Sequence, residues 1–227
     1  MTKFFKPALA GLAMAAAATA VPAPAGAQVN GIATSNPTIA LVRAAARTAA
    51  YQQINTTYAA QIQQVNQLQT EINNLQVSLD TDKNGQLTEA EINANPSVVQ
   101  QIQTKEQQAQ TASEPIIMAQ YYALEQLLND YNNARNQVVQ QKNISLMLTP
   151  DSVQYAQQGF DVTDAIVAAI DQRLPTVGTT VPANWQPRRQ TVELHQAIQQ
   201  ILMVASAQAA ARQQQQQQQN QQAPSGR

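Results

Sequence analysis

The run Asp80-Thr81-Asp82-Lys83-Asn84-Gly85-Gln86-Leu87-Thr88-Glu89-Ala90-Glu91 sets oxygen-bearing side chains at alternate positions and a glycine at the sixth. That spacing suits a hard divalent cation, because calcium is held by oxygens supplied from a short loop that folds around it. Position by position it fits an EF-hand loop: side-chain oxygens from Asp80, Asp82 and Asn84, the backbone carbonyl of Gln86, a direct or water-mediated ligand at Thr88, and a bidentate Glu91. Gly85 stands where the loop turns sharply and needs positive φ, and Leu87 fills the eighth place, normally apolar. One Ca2+ per chain is expected. The exit helix meets Asn95-Pro96 soon after Ile92 and no second such loop follows. The site should therefore be weak, in the range of roughly 0.1 to 1 mM.

Little else in the chain could do chemistry. With no Cys there is no thiol nucleophile or thiolate metal site, and a single His removes His-rich zinc sites and most His-centred catalysis. Asp161 and Asp164 are acids, but they stand where a helix should begin and read as helix-start residues. No Gly-rich phosphate loop is present, so no nucleotide-driven step is expected and the chain reads as a non-enzyme. His195 beside Leu194 reads as an ordinary, partly exposed histidine, and Trp185 as a packing anchor.

The elements that must carry the loop are helical. Aromatics make up 4% of the 227 residues and there are seven Gly, whereas Gln and Ala, both good helix formers, abound. From Tyr51 apolar residues recur in steps of three and four through Ile54, Tyr58, Val65, Leu68, Ile72, Leu75 and Leu79, with Ile62 one place off register. Glu71 is the one charge in this stretch, so the helix should have a narrow apolar stripe and a neutral outer face. A second seam runs Ile117, Tyr121, Leu124, Leu128, Tyr131, Val138. Two matching seams predict an antiparallel coiled-coil hairpin over 44–143 with the calcium loop, 80–91, at its tip. Asn95-Pro96 should open the return helix, Pro115 should kink or break it, and the polar span 103–113 can be helical only by leaning on the first arm.

Short pieces bracket this arm. Thr38 to Val42 and Ile144 to Leu148 read as strands, Val153 to Ala156 as a further one, and a helix carrying Ile166, Val167, Ile170 and Leu174 follows, capped by Asp161 or Thr163 and stopped by Pro175. Residues 36–43 and 144–175 together are too few to bury an independent core easily, so oligomerisation is the natural remedy. Ahead of them, residues 1–27 read as an export signal: Lys3 and Lys6, an apolar stretch from Pro7 to Val21, and a small-residue site at Ala25-Gly26-Ala27. Cleavage there leaves 11 basic against 14 acidic residues, a charge of −3, which suits neither nucleic acid nor an anionic membrane surface, and leaves no integral membrane segment.

The order strand, long helical hairpin, hairpin strands, short helix resembles the Skp/OmpH family of periplasmic chaperones over roughly 38–174. The residues that carry the likeness are Thr38-Ile39-Ala40-Leu41-Val42, Ile144-Ser145-Leu146-Met147-Leu148, Val153-Gln154-Tyr155-Ala156 and Asp161-Val162-Thr163-Asp164-Ala165-Ile166. The resemblance implies an α+β, mostly α fold: a homotrimer whose small β body would be built by Ile39, Leu41, Ile144, Leu146, Leu148, Val153, Tyr155, Ile166 and Ile170. Helical arms would project from it around a cavity that holds unfolded outer-membrane proteins in the periplasm. Holding would be passive, without ATP. A structural or adaptor coiled coil of the cell envelope with calcium-stiffened arms is the alternative. Outside the resemblance, 176–211 reads as a linker and an amphipathic helix through Val192, Leu194, Ile198, Ile201, Leu202 and Ala205 that should dock back on the body. Residues 212–227 read as a disordered Gln-rich tail.

Overall fold

The structure, a computed structural model, describes residues 31–157 and 159–222. The expected export signal, 1–27, lies outside them, as do residues 223–227. The elements in order are β1 (Ile32–Thr34), α1 (Pro37–Arg43), α2 (Ala45–Thr57), α3 (Ala59–Leu79), α4 (Glu89–Ala94), α5 (Pro96–Gln141), β2 (Leu146–Leu148), α6 (Thr163–Arg173) and α7 (Arg189–Gln222). None of the described helices is long and apolar enough to cross a membrane.

The arm is a helical hairpin of which α5 is the spine. Its 46 residues extend about 69 Å at 1.5 Å per residue. α3 and then α2 pack along it in the opposite direction: Glu71 of α3 pairs with Lys105, while Ala50 and Ile54 of α2 cluster with Ile116, Ala119 and Ala123 farther along α5. The expected first seam lies inward, with Ile54, Leu68, Ile72 and Leu79 buried and Tyr51, Tyr58, Val65 and Leu75 half-buried. On the return helix Leu124, Tyr131 and Val138 are buried as expected, but Ile117 is exposed and the contact row runs instead through Ile116, Ala119, Ala123, Leu127 and Ala134. Alanines set this spacing, and their small side chains give a hydropathy pattern little contrast.

Two expectations about the arm are corrected. The first limb is two helices, not one: the chain leaves helical geometry at Tyr58 (φ −105°, ψ 24°), just before the residue that falls off the heptad register, Ile62. Backbone hydrogen bonds from Tyr58 N–H to the Ile54 carbonyl and from Ile62 N–H to the Tyr58 carbonyl span the joint, so the limb is jogged without being cut. Pro115 does not break the return helix, which runs without interruption from Pro96 to Gln141. The helix there is held from its flanks by the buried Ile116 and Ala119, which offset the one missing amide. Asn95-Pro96 opens α5 as expected: Asn95 stands at the N-cap, its carbonyl accepts the Val98 and Val99 amides, and its side-chain amide donates back to the Glu91 carbonyl.

The body differs more. Thr38 to Val42, expected as a strand, lies in α1: Asn36 accepts the Ile39 amide and Pro37 opens the helix, the same Asn-Pro start used at Asn95-Pro96. The true first strand is Ile32–Thr34, which pairs in parallel with β2, Ile32 opposite Leu146 and Thr34 opposite Leu148. Gly31 (φ +71°) makes the approach possible: its carbonyl accepts the amides of both Ser145 and Leu146, and a Cβ there would stand 3.3 Å from Ser145 Oγ. Val153 to Ala156 form no strand. A 3-10 turn at Pro150–Ser152 diverts the chain, and the second pairing of β1 goes to the segment around Asp161, through Thr34 N–H to the Phe160 carbonyl and Val162 N–H to the Thr34 carbonyl. The cap of α6 is Val162, with the Asp161 carboxylate accepting the Thr163 amide from just outside.

Leu41, Ile144, Ile166 and Ile170 join Ala33, Ala40, Leu127, Tyr131 and Val138 in one core beneath the arm root. The tail expected to be disordered from 212 continues α7 to Gln222, in keeping with the helix propensity of Ala and Gln.

Candidate functional site: the helical arm and its tip loop

At the tip, α3 ends at Leu79 with Asp80 as its cap and α4 begins at Glu89, so the loop hangs between two helix ends. Gly85 adopts φ +78° and Lys83 φ +58°, which turns the chain back on itself and points successive amides inward. The Asp80 carboxylate accepts the amides of Asn84 (3.1 Å) and Gly85 (2.8 Å). Asp82 accepts the Asn84 amide (3.1 Å) and side-chain nitrogen (2.7 Å), and the Asn84 side-chain oxygen accepts the Gln86 amide at 2.7 Å. Thr88 caps α4 reciprocally with Glu91, three residues on, as a Thr-x-x-Glu sequence allows.

Glu91 is the centre of the arrangement. One carboxylate oxygen accepts the Thr81 amide (2.7 Å) and hydroxyl (3.0 Å); the other accepts the Thr88 amide (3.0 Å) and hydroxyl (2.8 Å). The Thr88 amide above all, then the Thr88 and Thr81 hydroxyls, hold its carboxyl well below the usual range, at about 2. The side chain is covered by this thin loop and not by a core, so desolvation opposes the shift only weakly. One oxygen from each of Asp80, Asp82 and Glu91 falls within a 4.8 Å cluster. Three of the six expected ligands are thus brought together as carboxylates. Asn84, Gln86 and Thr88 lie in the same loop, Asn84 and Thr88 hydrogen-bonded to members of the cluster.

Below the tip, the arm surface is neutral and amide-rich. Shallow grooves along α5 are lined by Gln64, Thr104, Gln107, Gln108 and Thr111, and next to them by Ser97, Gln100 and Gln101. The polar span 103–113 is helical and does lean on α3, through Lys105 and Glu71. None of Tyr51, Tyr58, Tyr121, Tyr122 and Tyr131 is exposed, which places these five in packing.

At the arm root α7 docks on α5 and α1, as an amphipathic helix was expected to do. Its first turn is received by Glu125, whose carboxylate accepts the Thr191 hydroxyl (2.6 Å) and the Arg188 amide (3.1 Å) and faces the Arg188 guanidinium at 3.4 Å. Burial pushes the Glu125 carboxyl up, but these partners outweigh it and hold it below the usual range. The linker is clipped on by Gln126, which exchanges two 2.9 Å hydrogen bonds with Gly178, and by Trp185, edge-on to Tyr122 at 5.2 Å. Trp185 is thus a packing anchor. His195 is not the partly exposed residue expected; it is buried, because α7 presses it against Tyr121. Glu125 and Thr191 carry no motif that marks them in the sequence.

Of the body residues, Leu41, Ile144, Ile166 and Ile170 are consumed by the chain's own core, while Leu146 (49% exposed) and Tyr155 (81%) face outward and Ile39, Leu148 and Val153 are half-buried. Ile32, Leu148, Val153, Tyr155 and Phe160 line an open apolar cleft beside the small sheet.

The family model described as "Outer membrane protein (OmpH-like)" matches residues 31–170, and the chain belongs to that family. Its members are chaperones and not enzymes. Among solved structures, the chain is similar to an OmpH-like protein from Caulobacter crescentus, at 21% identity and a TM-score of 0.41, with 70% of this chain and 92% of that one covered. No curated protein matches significantly.

Proposed function

We propose that this chaperone is a periplasmic holdase that keeps unfolded outer-membrane proteins between the arms of a trimer, without ATP. The observation that carries the reading is the arm: α3 and α5 project beyond the core as a hairpin whose grooves offer amides and hydroxyls and whose one interhelical ion pair is Glu71–Lys105 among the described residues. Such a surface makes many weak contacts with an extended chain and competes poorly with that chain's own folding, which suits holding followed by release. Trimer formation is supported by the apolar cleft at Ile32, Leu148, Val153 and Tyr155 and by the outward Leu146, apolar groups beside the small sheet that a second copy would cover.

The tip loop is assigned to one Ca2+, held by Asp80, Asp82, Asn84, the Gln86 carbonyl, Thr88 and Glu91. The carboxylate cluster supports this, since calcium takes its ligands from oxygens gathered within one short loop. An ion there would stiffen the arm end and make client retention calcium-dependent.

The test is dilution of a urea-denatured outer-membrane β-barrel into the protein. Suppressed aggregation without ATP is the expected result, and it should persist at about 0.5 M salt because screening removes long-range attraction that a charge of −3 does not use. Equal aggregation with and without the protein would leave the adaptor reading, which the exposed Leu202, Met203 and Val204 on α7 favour. Calorimetry should give one Ca2+ per chain, abolished by Asp80→Ala or Glu91→Ala.

A further inference from the structure

The chain's sole histidine is buried in the contact that fixes α7 to the arm, among groups that do not welcome a positive charge. From α5, the Tyr121 ring meets the His195 imidazole edge-on at 4.9 Å. From α2, the Tyr51 hydroxyl lies 3.5 Å from Nδ1, and Arg47 stacks over the Tyr51 ring at 4.3 Å from its centroid. Arg47 is itself buried, and among the described residues no carboxylate pairs with it: its guanidinium donates to the Val42 carbonyl and its Nε has no partner. A cation is thus already enclosed beside the imidazole.

The remaining charged groups around the contact are engaged elsewhere. Glu125 of α5, one turn from Tyr121, is taken up by Thr191 and Arg188. Glu193 of α7 pairs with Arg189 on the exposed side, and Arg43 of α1 pairs with Asp164. Gln199 places its amide nitrogen 3.3 Å from Nε2, where a neutral ring accepts and a protonated one cannot unless the amide turns over.

We propose that His195 makes the docking of α7 on the arm root a proton-sensitive latch, closed while the imidazole is neutral and released as the medium acidifies. Burial first, and then the Arg47 guanidinium, push the imidazole below its ordinary value. The sign follows from linkage: the docked form binds the proton less readily than the released form. Docking is at full strength above about 6.5, weakens as pH falls below it, and goes on weakening until the docked ring's own lower value is reached. Past the Arg188–Glu125 pair at its start, the latch is small, resting on Thr191, Leu194, His195 and Ile198, so one proton can shift its equilibrium.

The test uses the full chain. NMR of the single imidazole follows its titration, while amide exchange over residues 191–198, normalised to the intrinsic rate at each pH, follows docking. The ring should titrate below about 6.5, and exchange in α7 should rise by up to about tenfold per pH unit in that window while α3 stays unchanged. His195→Gln should abolish the pH dependence. His195→Phe, which fills the site and cannot ionise, should stay docked into the carboxylate range, about pH 4.5. A ring that titrates at or above 6.5, α7 protection unchanged once the ring is charged, or acid release of the Phe variant overturns the proposal.

Discussion

Glu91 accepts hydrogen bonds from two threonines that lie on opposite sides of the tip, so a single carboxylate ties the loop's start to its end. With its carboxyl lowered from 4.5 to about 2, the tie is at full strength above about pH 4.5 and is lost as pH falls through about 2. Glu91→Gln should expose the Thr81 and Thr88 amides to exchange at neutral pH with helix content unchanged, which amide-resolved NMR would read. Asp130 acts in the same sense elsewhere: Arg173 above all holds its carboxyl below the usual range, through bonds of 2.8 and 2.9 Å that fasten α6 to α5. Asp130→Asn should lower the urea midpoint at neutral pH, and the gap from the parent should close as acid protonates Asp130. That Asp80, Asp82 and Glu91 share one tight turn is legible in their spacing around Gly85, which takes the positive φ the turn needs. The Glu125 site was not, since its members, Glu125, Arg188 and Thr191, come from segments sixty residues apart and have no fixed spacing.

The arm is held along α5 by small residues, and this fixes what it tolerates. Ala119 and Ala123 are wholly buried where Ile54 enters, so the helices approach closely. Ala123→Leu should cost about 1–3 kcal/mol by overpacking, and Ile54→Ala about 2–5 kcal/mol by leaving a cavity, both read by chemical denaturation. The seam from Ile54 to Leu79 announced itself through large apolar residues in heptad steps; the facing row was read one place out at Ile117 because alanine marks neither a core nor a surface. The short run Thr38-Ile39-Ala40-Leu41-Val42 was ambiguous for another reason. Its β-branched residues suit a strand, but Asn36-Pro37 sets a helix start in front of it, and the cap decided the outcome. Strand Ile32–Thr34 has three residues and exists by virtue of its partner, a property no local pattern can hold.

For the whole molecule, the body residues divide into two kinds that substitutions can separate. Ile166 is buried within one chain, so Ile166→Asp should bury an unpaired charge and unfold the arm root, at a cost of several kcal/mol. Leu146 is half exposed in one chain, so Leu146→Asp should leave the circular dichroism intact and reduce the mass in sedimentation from that of the proposed trimer to that of a monomer. A parent chain already monomeric at micromolar concentration would remove the trimer. The parallel pairing of β1 with β2 also dictates an order in time. Contacts near the tip join residues close in sequence, those at the root join residues farther apart, and Gly31 must wait for Ser145 and Leu146. The hairpin should therefore zip from tip to root and the sheet should form last, so copies can meet only after each arm is complete. Pulse-labelled exchange during refolding should protect α3 amides before the Leu146 amide. On that schedule the acidic loop is where folding starts, and an ion bound there would set the pace at which the whole chaperone matures.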